Sequence, residues 1–152
     1  IIKVGLRICK SLAKRMVLEP LPFYQFAQIA RVGVEDLQLY LDRGMLQAPR
    51  RRRGRRGSTA FHQEHLDRLH FIRRALAYGF SLEQIAQFVN TERMMTCKDI
   101  HQLTLSQIEA LRRGGGLADP TAAALERLLG TCNGRSGRKD CQILAALAKE
   151  DE

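Results

Sequence analysis

The sequence predicts a mainly α-helical chain interrupted by one basic loop. Three observations carry this. Apolar residues recur at helix spacing through most of the chain. Two short amphipathic stretches near its start flank a glycine-containing turn. Residues of the segment 97–132 repeat with a seven-residue period. Hydrophobic residues make up 45% of the 152, enough for a modest core, and charged residues 27%. No uninterrupted apolar run approaches the roughly 18 residues a membrane-spanning helix needs.

Residues 1–20 read as an extension ahead of this fold. The chain does not begin with Met; Met16 is the expected start, which would leave residues 1–15, Cys9 among them, outside the native protein. The stretch lacks the apolar run and small-residue cleavage site of a secretion signal. Leu21 to Val32 then reads as a helix, Gly33-Val34 as a turn, and Glu35 to Arg43 as a second helix. Leu37, Tyr40 and Leu41 stand at i, i+3 and i+4 along it, and Gly44 is a natural stop. Two short helices around such a turn predict a helix-turn-helix, with an ordinary helical hairpin as the alternative.

Pro49 to Gly57 contains six arginines: Arg50, Arg51, Arg52, Arg53, Arg55 and Arg56. No core absorbs that charge density, and no acidic run lies nearby to balance it. The stretch is a solvated loop, either a wing or arm that contacts phosphates or a surface kept basic for solubility. Guanidinium groups suit bidentate phosphate contacts, and each phosphate neutralised makes binding more salt dependent. From Phe61 the helical pattern returns in Leu66, Leu69, Phe71, Ile72, Leu76 and Phe80, with Gly79 at its end. Ser81 reads as the next N-cap and Gln84 completes a capping box. Leu82, Ile85, Phe88 and Val89 follow at helix spacing.

The longest segment runs from near Thr96 to near Thr131, with Ile100, Leu103, Ile108, Leu111, Leu125, Leu128 and Leu129 along a seam. Leu111, Ala118, Leu125 and Cys132 are seven apart, as are Ile108, Gly115, Ala122 and Leu129. This period predicts a long antiparallel coiled-coil dimerisation helix. Gly114-Gly115-Gly116 and Pro120 interrupt it, at about 1 kcal/mol per glycine and about 3 for the proline, so a kink or two helices joined by a loop are expected. Residues 133–140 read as a loop and Ile143 to Ala148 as a last short helix.

Lys and Arg outnumber Asp and Glu by 25 to 16, giving a net charge of +9. A small domain this basic points to a polyanion, foremost nucleic acid. An anionic membrane surface is disfavoured by 6% aromatic content and the lack of Trp. Four cysteines are too few for a disulfide-stapled secreted scaffold, so a cytoplasmic chain with reduced thiols is expected. Cys97 opens the heptad segment and Cys132 closes it, 35 residues later. A continuous helix would hold them about 50 Å apart, at about 1.5 Å per residue. An antiparallel pair of such helices would set Cys97 of one chain beside Cys132 and Cys141 of the other. The spacing therefore predicts a homodimer with two thiolate sites shared between chains.

Arg135, Arg138 and Lys139 lie in the loop between Cys132 and Cys141 and favour thiolates, as does the position of Cys141 at a helix start. Three sulfurs suit soft ions: Hg(II) in trigonal ligation, with Zn(II), Cd(II) and Pb(II) as competitors. A redox pair of Cys132 and Cys141 is the alternative. His101, one turn after Cys97, is a candidate fourth ligand; His62, His65 and His70 form only a weak metal pattern. No catalytic motif stands out, so an enzyme is not expected.

Tyr40-Leu41-Asp42-Arg43-Gly44-Met45-Leu46, His65 to Ala75, Ala77 to Ile85, Thr96-Cys97 and the Cys132…Cys141-Gln-Ile-Leu ending together resemble the MerR family of bacterial transcription regulators over roughly Phe23 to Leu147. The cysteine spacing is similar to that of the mercury-responsive branch, with the zinc-responsive branch a close competitor. The resemblance implies a winged helix-turn-helix that binds a palindromic operator in double-stranded promoter DNA as a homodimer. It also implies that metal binding distorts the promoter so that RNA polymerase can use it. Glu35 to Arg43 would be the recognition helix, with Arg31, Gln38, Tyr40 and Arg43 at the DNA and Arg50 to Arg56 as the wing. Cys97, Cys132 and Cys141 would be the ligands of a Hg(II) effector. The chain departs from the family pattern in a shorter turn, in Gln38-Leu39-Tyr40 within the recognition helix, and in a wing ending, Gly57 to Phe61, that lacks arginine. The expected organisation is an extension (1–20), a DNA-binding domain (21–93), a dimerisation helix (94–131) and a metal-binding loop with a short helix (132–152).

Overall fold

The computed structural model describes residues 21–49, 60–90, 95–116, 118–137 and 140–149. The expected extension over 1–20 and the six loop arginines Arg50 to Arg53, Arg55 and Arg56 lie outside these, as do Arg138 and Lys139. Seven helices are described: α1 (Phe23–Ile29), α2 (Val34–Asp42), α3 (Gln63–Ala77), α4 (Leu82–Val89), α5 (Cys97–Gly115), α6 (Pro120–Gly130) and α7 (Gln142–Ala148). Among the described residues the β-structure is a single antiparallel bridge, in which Leu21 and Phe61 exchange backbone hydrogen bonds of 3.0 and 2.8 Å.

Local chemistry sets the helix boundaries. Gly44 adopts φ 67°, which ends α2, and lets the Met45 and Leu46 amides donate to the Tyr40 carbonyl at 2.9 and 3.1 Å. Ser81 caps α4 as its spacing predicts: its hydroxyl accepts from the Gln84 amide, and the Gln84 side chain accepts from the Ser81 amide at 2.8 Å. Thr96 and Asp99 make the same reciprocal cap on α5.

One core binds these elements. Phe26 of α1 stacks on Phe61 at a centroid distance of 4.5 Å, and both are buried. Leu37, Leu69, Ile72, Phe80, Ile85 and Ile100 join them in a continuous apolar cluster. Arg68 of α3 donates to the Val89 carbonyl at the end of α4 at 2.9 Å. The α3–α4 turn is tied to α5 by Gln107, whose Nε2 donates to the Gly79 carbonyl at 2.7 Å.

The segment read as a dimerisation helix is two helices, with the break where Gly114-Gly115-Gly116 and Pro120 led it to be expected. α5 ends at Gly115, Gly116 adopts φ 78°, and Asp119 starts α6 by accepting from the Thr121 and Ala122 amides at 2.8 and 3.1 Å. Pro120 occupies the first helical position, where its missing N–H costs nothing. α6 therefore turns back along α5, and the Arg112–Glu126 ion pair bridges the two. The heptad register is real, but its apolar residues pair within the chain: Ile100 and Ile108 of α5 share the core with Ala122 and Leu125 of α6. α7 buries Ile143 and Leu147 and packs on α3, where Arg74 donates to the Ala146 carbonyl at 3.3 Å and to that of Lys149.

Candidate nucleic-acid interface and thiol cluster

The turn between α1 and α2 passes through Arg31, a non-glycine residue at φ 51°. Such a conformation is costly for an L-residue and needs outside support. Arg73 of α3 supplies it by donating to the Arg31 carbonyl, while the Val32 amide donates to Ala27 at 3.0 Å. The Arg31 side chain is exposed beside the turn.

α2 presents Glu35, Gln38, Leu39 and Asp42 to solvent. It has acidic residues in its first turn and no basic one within its length, so cationic contacts on this face must come from the flanks. Gln38 is exposed and donates to Asp42 at 2.8 Å. Arg43 is exposed and pairs with Glu83 at 2.9 Å, an ion pair worth little in solvent. The Glu83 backbone N–H and then the Arg43 guanidinium hold the Glu83 carboxyl below its ordinary pKa.

Tyr40 corrects an expectation. Read as a groove-facing residue, it is only 7% exposed and belongs to the core. Its position three after the buried Leu37 puts it on the inward stripe of α2. Burial, then the Asp36 carboxylate, raises its hydroxyl pKa. The exposed aromatic on this unit is Tyr24 of α1, 71% exposed, which the spacing argument passed over. Arg73 was missed as well, because no local pattern marks a guanidinium–carbonyl contact across 42 residues.

The histidines separate. His65 is buried, and its Nδ1 accepts from the His62 amide at 2.9 Å to begin α3. Burial lowers its pKa, so the ring is held neutral. His62 is exposed and His70 half-buried, and they do not gather with His65 into a metal site.

The thiols come together. Cys97 Sγ lies 3.6 Å from Cys132 Sγ of the same chain, where the spacing argument had set the Cys132 of a partner. The reason is the reversal at Gly116–Asp119, which converts a separation of about 50 Å along a rod into contact. Cys97 and Cys141 are buried and Cys132 half-buried, all as free thiols. Burial pushes the Cys97 thiol up to about 11, helped by its hydrogen bond with Cys132 and by the Cys141 thiol. Cys141 is the N-terminal flanking residue of α7. His101 is half-buried, with an Nδ1 that has no hydrogen-bond partner among the described residues. Among those residues no three His, Cys, Asp or Glu side chains already enclose a point for an ion. The donor chemistry nevertheless fits one. Two thiolates on a tetrahedral ion with bonds of about 2.3 Å stand about 3.8 Å apart, close to the Cys97–Cys132 distance.

Residues 24–92 match the family described as MerR HTH family regulatory protein. The chain carries a MerR-family DNA-binding domain. MerR regulators are DNA-binding transcription factors and not enzymes. The mercuric resistance operon regulatory protein of Pseudomonas fluorescens is 28% identical over 130 residues, covering 86% of this chain and 89% of that protein. The protein of the same name from Serratia marcescens is 27% identical over 135 residues, covering 89% and 92%. The HTH-type transcriptional regulator HmrR of Sinorhizobium medicae (strain WSM419) is 35% identical over 83 residues, covering 53% of the chain and 56% of that protein. No solved structure matches the chain. Its MerR domain spans α1 to α4; α5 to α7 and the thiols lie beyond it. No helix among the described residues is long and apolar enough to cross a membrane.

Proposed function

We propose that this MerR-family chain is a metal-responsive transcription regulator whose effector is Hg(II), acting on a metal-resistance operon. The observation that carries the reading is the meeting of Cys97 and Cys132 at 3.6 Å, beyond the MerR domain. The names of the relatives, mercuric resistance operon regulators, favour the same ion. Cys97, Cys132 and Cys141 would hold it, and what the ion supplies is ligation that ties α5, the end of α6 and the start of α7 together. Cys97, protonated at neutral pH, gives up its proton on ligation.

The DNA partner is a two-fold promoter site taken by two copies. Arg31 and Arg43 would flank the groove, Gln38 would meet base edges, and Arg50 to Arg53, Arg55 and Arg56 would neutralise phosphates. Tying the thiol-bearing helices would alter the DNA-binding heads and distort the promoter toward use by RNA polymerase. Such a chain would work in the cytoplasm, on the nucleoid. Zn(II), Cd(II) and Pb(II) are the competing effectors.

The test is titration of the reduced protein with Hg(II) against excess small-molecule thiol. Binding that survives the competitor and disappears in Cys97→Ser is expected; loss of all binding to the competitor would remove Hg(II) as effector. Repeating the titration with Zn(II), Cd(II) and Pb(II) ranks the rivals. A redox switch is the second reading, favoured by the same 3.6 Å contact. Cys97 and Cys132 would lose two protons and two electrons to a peroxide, which is reduced to water. Mild peroxide without metal, followed by mass spectrometry, separates the two readings.

A further inference from the structure

We propose that the hollow where α3, α6 and α7 meet is a binding site for a small phosphate-bearing organic anion, and that Arg73 links its occupancy to the turn of the helix-turn-helix. The inference stands apart from the thiols and from the choice of metal.

The hollow has a volume of about 540 Å³, within the range of small-molecule sites. His70, Arg73 and Arg74 stand at i, i+3 and i+4 along α3, which puts all three on the face that lines it. Lys149, just past α7, lines it from another element. Among the described residues that line the hollow there is no Asp or Glu. The acids of α3, Glu64 and Asp67, line a separate hollow with Phe71 and Leu144. Asp119, beside Pro120, is taken up by capping α6, and Glu126 by its pair with Arg112. Basic residues near helix ends complement the dipole of their own helix. Here the ends of α3 and α7 bring such residues to one cavity, where their positive fields add.

The lining selects the class of anion. Several cations suit the three oxygens and double charge of a phosphate monoester better than the single charge of a carboxylate. Thr121 of α6 adds a hydroxyl. Tyr78 and Ala124 add apolar wall that a bare inorganic ion would leave unused, so an organic phosphate fits better. Arg73 joins the hollow to the DNA-binding unit: it lines the cavity and donates to the Arg31 carbonyl in the positive-φ turn. A guanidinium carries five N–H donors, so an anion can be held without giving up that contact. Occupancy then pins Arg73, and with it the turn between α1 and α2.

The test is calorimetric titration of the full, reduced, metal-free chain with AMP, inorganic phosphate and adenosine. One AMP per chain is expected, with weaker inorganic phosphate and no adenosine. Arg73→Gln and Lys149→Gln should each weaken AMP binding at least about tenfold, the loss of one charge-assisted hydrogen bond. Arg113→Gln, exposed on α5 and outside the hollow, should leave it unchanged. Lys149→Gln does not touch the Arg31 turn, so it decides the matter if Arg73→Gln fails to fold. Equal weakening by all three variants, or by none, overturns the proposal, because AMP then binds diffusely or elsewhere. Adenosine binding as tightly as AMP, or no binding of any probe at millimolar concentration, overturns it as well. A short duplex of unrelated sequence that displaces AMP and is weakened by the same two variants would give these cations to DNA phosphates instead, against the proposal. The link to the turn is read by hydrogen exchange with AMP present: slower exchange across residues 27–34 is expected, and no change there refutes it. Hg(II) is absent throughout, so none of these outcomes bears on the metal reading.

Discussion

At the residue scale, the most telling side chains are buried ones with polar work to do. Burial holds the His65 imidazole below the ordinary histidine pKa, and its Nδ1 must stay unprotonated to accept from the His62 amide. The unfolded chain therefore binds this proton more readily than the folded one. The stability His65 contributes is complete above the unfolded value of about 6.5 and is lost as pH falls through and below it, toward the lower folded value. Thermal melts between about pH 8 and about pH 5 should show Tm falling below about pH 6.5, with a shallower fall in His65→Gln. The same slope in wild type and variant would assign the dependence elsewhere. Gly79 is a telling position of another kind. It sits at φ 79°, and a Cβ there would meet Gln107 Nε2 at 2.8 Å. Gly79→Ala should cost about 1–2 kcal/mol in denaturant unfolding from backbone strain alone, with more from the displaced Gln107. A change within error would mean that the turn relaxes freely.

At the scale of elements, the break between α5 and α6 was expected, and the return of α6 along α5 of the same chain was not. Its heptad apolar residues are equally suited to a partner helix or to the chain's own next helix, and periodicity alone does not distinguish the two. Asp119→Ala should destabilise the chain by about 1 kcal/mol through loss of the α6 cap. The stronger test restores helix formers. Replacing Gly114, Gly115, Gly116 and Pro120 together by Ala removes about 6 kcal/mol of helix penalty, the sum of about 1 for each glycine and about 3 for the proline. It should yield a continuous helix and a larger hydrodynamic radius in sedimentation. An unchanged sedimentation coefficient would show that core packing, not the glycines and proline, enforces the reversal.

At the scale of the whole molecule, charge and fold are divided between different parts. α2 carries no basic residue, whereas the segment from Arg50 to Arg56 carries six arginines. Deleting Arg50 to Arg53 should weaken promoter binding across sequences. It should also flatten the plot of log affinity against log salt by roughly 0.9 for each arginine that meets a phosphate. A preserved slope would reduce the loop to a solubilising surface.

Much of this was legible in the linear sequence, for a local reason. The helix starts at Ser81 and Thr96, the stops at Gly44 and Gly79, and the break after Gly114 depend on residues within a few positions of one another. The MerR resemblance was likewise carried by contiguous runs, and the matched residues 24–92 agree with it. The nomination of Cys97, Cys132 and Cys141 came from their spacing, and the structure brings Cys97 and Cys132 into contact. That Cys132 of the same chain reaches Cys97 was visible only in the tertiary structure. The reversal at Gly116–Asp119 sets the direction of α6, and direction is a long-range property that a heptad pattern does not encode. The same holds for Tyr40, whose burial depends on what packs against α2, and for Arg73, whose contact with the Arg31 turn joins residues far apart in sequence.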